Sequence, residues 1–245
     1  MLTDKDAPPA QQKPDFDSLL ADLFGLNIRG AKTLRDLLIR PKQVFNSARV
    51  LDWRSQYTPT MRLAFSILTV FSLLSFFWTS ENSILYQSLL AQLSQTLAED
   101  PDAPALRQRV NSTFAAYNFI YPFTYMLIHS LIGAMLFIWG KGTSWVARIR
   151  LYFGVISIGI ALAVASVTVM PFVSLDYFWL YTVVLFIINI LAYAITYARG
   201  VHGQFSMMSM AIRAPSIAVV VSIADFIVAT IAGIGASMWA EIQLS

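Results

Sequence analysis

Residues Ser216 to Trp239 read SIAVVVSIADFIVATIAGIGASMW, and this stretch decides the class of the molecule. As a helix it runs roughly 36 Å at 1.5 Å per residue, enough to cross a hydrocarbon core of about 30 Å. One carboxylic acid, Asp225, lies well inside the apolar run. A charge near the bilayer centre costs about 2.5 to 3.5 kcal/mol on insertion scales, so Asp225 is expected to face protein or water. Three-to-four-residue spacing places Ala218, Ser222, Asp225, Ala229, Ala232 or Gly233, and Ala236 on one face. A face of such small residues lets a neighbouring helix approach closely.

Composition extends that reading to the whole chain. Over 245 residues, 57% are hydrophobic and 13% charged, with a mean hydropathy of +0.61, against roughly 25% charged in soluble domains. The net charge is +3. The basic residues are sorted by loop, which reads as membrane topology and excludes nucleic acid as the partner. There are no cysteines, so disulfides, thiolate nucleophiles and Cys-ligated metals are excluded. The N-terminal MLTDKDAPPAQQKPDFD lacks a charged-then-apolar signal pattern, and its aspartates argue against a transit peptide.

Residues 1–14 have the composition of a solvated, disordered cytoplasmic tail. Residues 15–60 read as basic amphipathic interfacial helices. The first carries Phe16, Leu19, Leu20, Leu23 and Phe24 behind an Asp15 cap; the second opens at Thr33, with Asp36 completing a capping box, and shows Leu34, Leu37 and Leu38. Pro41 ends that helix at Arg40, and Val44 and Phe45 open another that runs toward Trp53. Arg29, Lys32, Arg35, Arg40, Lys42, Arg49 and Arg54 alternate with these apolar residues, the pattern of helices lying on anionic lipid headgroups.

Five transmembrane spans are expected, at 61–79, 117–139, 151–173, 177–197 and 216–239. The fold is thus an all-α, five-helix membrane bundle. In the third span Gly159 and Ala163 form a small-xxx-small contact. Within residues 80–116, Leu85, Leu89, Leu93 and Leu97 recur every fourth residue, and Leu106, Val110 and Phe114 follow helical spacing. Two helices joined at Asp100-Pro101 are expected to form a short extracytoplasmic cap. An odd number of spans puts the termini on opposite sides. Of the 17 Lys and Arg, only Arg107 and Arg109 fall in the outer loop, so the N-terminus is expected in the cytoplasm and the C-terminus outside it.

The segment Thr33 to Phe45, TLRDLLIRPKQVF, followed by five spans, resembles the Yip-type superfamily of five-span membrane proteins, in particular its functionally uncharacterised bacterial branch. Asp22-Leu23-Phe24-Gly25 shares letters with a motif of the eukaryotic members. However, Leu26 stands in place of its proline and the tetrapeptide lies too far ahead of the first span to carry weight. The resemblance implies the architecture and a bacterial cytoplasmic membrane. Vesicle trafficking and small-GTPase partnership belong to the eukaryotic relatives.

Catalytic constellations are scarce. The two histidines, His129 and His202, form no His-x-x-x-His pair for a metal. Asp225 is the lone acid in a span core, so a carboxylate dyad is excluded. Gly142-Thr143-Ser144-Trp145 lacks the second glycine of a nucleophile elbow, and no phosphate or dinucleotide fingerprint occurs. The chain is therefore read as a non-enzyme without cofactor. One constellation remains: His129, Asn189 and Asp225 lie at matching depth, roughly 12 to 15 Å from the cytoplasmic boundary. The first expectation is a membrane scaffold or organising protein, acting through homo-oligomer or membrane-protein contacts. The alternative is a small proton- or cation-coupled transporter using Asp225 and His129. The two differ in that a transporter needs a cavity reaching Asp225.

Overall fold

The computed structural model describes residues 28–50, 53, 56–98, 100 and 103–244. The expected tail at 1–14, the amphipathic helix over Phe16–Phe24, Arg54 and the Pro101 side of the cap joint lie outside these residues. Among the described residues the chain is all-α, without strands. In order it forms α1 (Ile28–Ile39), α2 (Pro41–Val50), α3 (Thr60–Leu73), α4 (Phe76–Thr79), α5 (Ile84–Leu97) and α6 (Pro104–Met135). There follow α7 (Trp145–Val169), a 3-10 turn at Met170–Phe172, α8 (Leu175–Gly200) and α9 (Met207–Leu244).

The centre of the bundle is α7. Residues 151–160 are buried without a break, which suits a helix that is apolar on every side. Its neighbour α8 is equally apolar, yet only 6% of its apolar window is buried. An apolar helix left that bare faces lipid in a membrane protein. Along α9 the buried seam is Ala218, Val221, Ala224, Val228, Ala232, Ala236 and Ala240, and it packs along α6. The face read from sequence is therefore rotated, since Ala229 is exposed and Val221, Ala224 and Val228 are not.

Among the described residues, three helices are long and apolar enough to cross a membrane: Trp145–Phe172, Asp176–Gly200 and Met207–Gln243. The expected boundaries shift. Residues 61–79 are not one straight helix, because α3 has 14 residues, about 21 Å, and the chain then bends by 47° into the segment Phe77–Leu97. The bend tucks Trp78 against Phe71, with ring centroids 4.4 Å apart, and against Val167 and Met170. The stretch expected at 117–139 is the later part of the 32-residue α6, which ends at Met135. Its tyrosines, Pro122 and His129 make it less apolar than the other three. Helix α9 starts at Met207, takes Pro215 into its interior and runs for 38 residues, about 57 Å.

The segment Thr33 to Phe45 clasps the bundle from one end. Leu37, Val44, Phe45 and Ala48 are fully buried. The Phe45 ring lies where Gly154 of α7 and Gly200 of α8 leave room; a Cβ on Gly200 would overlap that ring, and one on Gly154 would come within 3.0 Å of it. Thr33 does not cap a helix, since α1 begins at Ile28. Its hydroxyl instead donates to the Arg29 carbonyl at 2.6 Å and accepts from the Thr58 amide at 2.8 Å. Asp36 likewise accepts from the Tyr57 hydroxyl at 3.1 Å. The two residues tie the clasp to the start of α3. At the other end α5 lies on the first turns of α6 through Tyr86, Leu90, Leu106 and Val110, one residue out of register with the expected leucine stripe, and Leu97 is exposed.

Candidate functional site

The residues that matter begin as a periodicity on α6. Tyr117, Tyr121, Tyr125 and His129 follow one another at four-residue steps, which stacks them on one helix face. The ring centroids are 5.2, 5.7 and 4.0 Å apart along the series. At its end His129 is fully buried. Its Nε2 lies 3.2 Å from Asp225 Oδ1 on α9. That approach is off the N–H line, because Nε2 has no aligned hydrogen-bond partner; it is a close electrostatic contact. On the other side of the ring, Nδ1 is 3.0 Å from the Tyr152 hydroxyl of α7. With the proton on Nε2, Tyr152 donates to Nδ1 and the ring N–H lies on the carboxylate side.

Asp225 Oδ2 accepts from the Tyr193 hydroxyl of α8 at 3.0 Å. The chain Tyr152, His129, Asp225, Tyr193 thus takes one residue from each of α7, α6, α9 and α8. Gly159 makes the last link possible. A Cβ there would overlap the Tyr193 hydroxyl, so only glycine lets Tyr193 cross α7 to reach the carboxylate.

The site is not sealed. The Asp225 side chain is 33% exposed and opens on a cavity of about 340 Å³. Asn189 lines the same cavity, but it does not join Asp225. Its Nδ2 donates to the Leu185 carbonyl of its own helix at 3.0 Å, which leaves Oδ1 buried without a partner. Of the three residues expected in one layer, the structure brings His129 and Asp225 into contact and places Asn189 in the wall of the cavity that Asp225 lines, bonded to its own helix. Sequence reasoning missed Tyr125, Tyr152 and Tyr193. The four-residue aromatic series ending at His129 was the available signal for the first of these.

The basic residues have a different character. Arg49 donates to the Trp139 carbonyl at 3.1 Å, Gln204 Oε1 at 2.8 Å and Thr143 Oγ1 at 3.4 Å. Arg213 donates to the Ile138 carbonyl at 2.6 Å, and Tyr197 shares that acceptor at 2.8 Å. Arg148 reaches the Ala134 and Thr143 carbonyls at 3.4 and 3.0 Å. Arg199 binds the Leu38 and Ile39 carbonyls at the end of α1, at 2.8 and 2.5 Å. These side chains satisfy carbonyls that the ends of α1 and α6 and the turns after α6 leave open. Burial lowers the pKa of Arg49 from its ordinary value. Of the residues expected at lipid headgroups, Arg29, Arg40 and Lys42 are exposed. Arg35 pairs with Asp36 at 2.9 Å, and Lys32 lies 5.3 Å over the Tyr57 ring. His202 is exposed in the turn between α8 and α9. Compared with protein-family models, curated proteins and solved structures, the chain matches none.

Proposed function

We propose that this chain is a five-span protein of a bacterial cytoplasmic membrane that moves protons or a cation by way of Asp225, with His129 as relay. The observation that carries the reading is the double situation of the Asp225 carboxylate: it touches His129 and Tyr193 on one side and is one-third exposed to a cavity on the other. A carboxylate kept only to register helices would be closed on all sides, since open polar surface between spans is expensive. An acid that must load and unload needs an open face.

The chemistry follows from the four linked groups. The Asp225 carboxylate is held by the Tyr193 hydroxyl and the His129 ring. A proton arriving from the cavity neutralises the carboxyl group; passed on, it goes from Asp225 Oδ1 to Nε2 of the other neutral tautomer, in which Nδ1 carries the ring proton and donates to the Tyr152 hydroxyl and Nε2 has a free lone pair. Tyr152 then stands hydrogen-bonded at Nδ1 on the far side. A cation in the cavity competes with that proton for the same oxygens, and this competition couples the two.

In the same proposal residues 61–79, bent after Leu73, and the later part of α6 from residue 117 supply the first two spans. The basic residues on α1, α2 and the turns at 136–144 and 201–206 mark the cytoplasmic side, with Arg29, Arg40 and Lys42 toward anionic headgroups. The Yip-type kinship rests on Thr33 to Phe45, the segment that clasps α7 and α8.

Proteoliposomes with a pH-sensitive dye inside provide the test. Wild type should dissipate an imposed proton gradient faster than empty vesicles, and Asp225→Asn should remove at least about nine-tenths of that flux. A flux that survives Asp225→Asn in folded protein ends the carrier reading and leaves the organising role.

A further inference from the structure

The cavity beside Asp225 has a chemical character of its own. Its walls include six aromatic side chains, Phe71, Tyr121, Tyr125, Phe186, Tyr193 and Phe226, and its only carboxylate is Asp225. Among the described residues no Lys, Arg or His lines it. Aromatic faces are electron-rich and attract cations, and a carboxylate in an apolar setting does so strongly. Asn189 adds an acceptor. Its amide nitrogen is committed to Leu185, so the buried Oδ1 awaits a hydrogen-bond donor.

We propose that this cavity binds an organic ammonium ion carrying at least one N–H. This rests on the reading of Asp225 as a working carboxylate and names what it holds. A bare metal cation is a poor fit, because hard cations require about six or more oxygen ligands and these walls are mostly carbon. An anion would be repelled by Asp225 and would find no cationic side chain in the lining, only hydroxyl donors such as Tyr121, Tyr125 and Ser222. A neutral apolar molecule leaves the open face of Asp225 without a countercharge and Asn189 Oδ1 without a donor. At about 340 Å³ the space is at the small end of ligand pockets, which run from about 300 to 1,000 Å³. The route in is lateral. Phe186 of α8 and Phe226 of α9 both line the cavity and are exposed on the outer surface of the bundle, where an amphiphilic amine dissolved in the bilayer arrives directly.

The test uses the purified full chain in nanodiscs, with radiolabelled 2-phenylethylammonium as probe. Saturable binding is expected. Propylbenzene, which carries methyl in place of ammonium, should compete at least about tenfold less well, given the strength of charge-assisted hydrogen bonds. The N,N,N-trimethyl analogue, lacking an N–H, should be weaker than the probe, and Asn189→Leu should erase that difference. Asp225→Asn should weaken binding about tenfold or more, and Tyr121→Leu roughly 3- to 30-fold. Ala163→Phe puts a large side chain into the cavity from α7 while leaving the carboxylate in the sequence and should abolish binding, which keeps the proposal testable if Asp225→Asn does not fold.

The proposal is overturned by the absence of saturable binding to wild type, by propylbenzene competing equally, or by binding that survives Ala163→Phe. Ethanolamine lipid in the nanodisc separates two sources of ammonium: competition by it assigns the site to a lipid headgroup, and none assigns it to a free amine. Proton flux without ammonium binding ends this proposal and spares the carrier reading. Ammonium binding without any flux does the reverse.

Discussion

Charged groups sit among the helices at two levels of this bundle, and they are treated in opposite ways. At the basic end, Arg49, Arg148, Arg199 and Arg213 each donate to backbone carbonyls of another segment or helix end. Their donors are absorbed by helix ends and turns that would otherwise leave carbonyls bare. In the middle, Asp225 shares its carboxylate between His129 and Tyr193 and still faces a cavity, while Asn189 keeps a buried acceptor unanswered. The first arrangement is closed and holds the architecture together. The second is left incomplete on one side, the condition a group needs if it is to take up and release something.

The comparison breaks if removing a basic-end arginine proves harmless to stability. Arg49→Ala leaves the Trp139 carbonyl with only the longer Thr143 hydroxyl bond at 3.3 Å and takes the arginine donor from Gln204, and should destabilise the folded state by about 1.5 to 3 kcal/mol. A lowered unfolding midpoint in detergent, with unchanged flux per folded molecule, is the expected result. Next in size is Gly159→Ala. Its Cβ displaces the Tyr193 hydroxyl, and the overpacking should cost about 1 to 3 kcal/mol while uncoupling Tyr193 from Asp225. Adding Tyr193→Phe takes away the hydroxyl but keeps the ring carbons that the Cβ also overlaps, and should restore a small part of the stability without restoring the hydrogen bond; a double-mutant cycle with no coupling would refute this geometry.

Asp225→Asn sharpens the contrast from the other side. The amide still accepts from Tyr193, so stability should change by no more than about 1 kcal/mol although transport and ammonium binding are lost. A large loss of stability would move Asp225 into the same class as the arginines.

A pH effect comes from the clasp. Burial first, and then the Asp36 hydrogen bond and charge, hold the Tyr57 phenol above its ordinary pKa. Its contribution is whole below the unfolded value of about 10 and is lost as pH rises through the folded value, because the unfolded chain ionises first. Thermal unfolding scans between pH 9 and 11 should show a smaller decline for Tyr57→Phe than for wild type. The smallest effect belongs to Arg35→Ala. Its pair with Asp36 joins a side chain 62% exposed to one 6% exposed, and exposed pairs contribute at most about 1 kcal/mol. A larger shift in midpoint would show that Asp36 depends on Arg35 as well as on Tyr57.

Much of the candidate site was legible. Asp225 stands out because an acid inside an apolar run is expensive, and His129 stands out as the one histidine in a hydrophobic stretch. The equal-depth argument matched these two because helical rise turns residue number into depth. It failed for Asn189 because depth says nothing of azimuth: the amide turned to the Leu185 carbonyl of its own helix, a partner always within reach. Azimuth also explains the rotated face of α9. Small residues surround that helix, so its sequence periodicity is weak, and the choice among faces fell to the match with α6.

The amino-acid sequence by itself determined that this is an all-helical chain, with long apolar helices fit for a membrane, a basic end and one costly acid. Those features depend on composition and on local periodicity, which a linear reading contains. Only the tertiary structure decided that α7 rather than α9 is the central helix and that the first apolar run is bent after Leu73. It also decided that the arginines answer carbonyls and that Asp225 is held by His129 and Tyr193 beside an aromatic cavity. Each of these is a contact between residues far apart in the chain. It depends on how helices rotate and cross, and that is set by packing one side-chain surface against another rather than by any local run of letters.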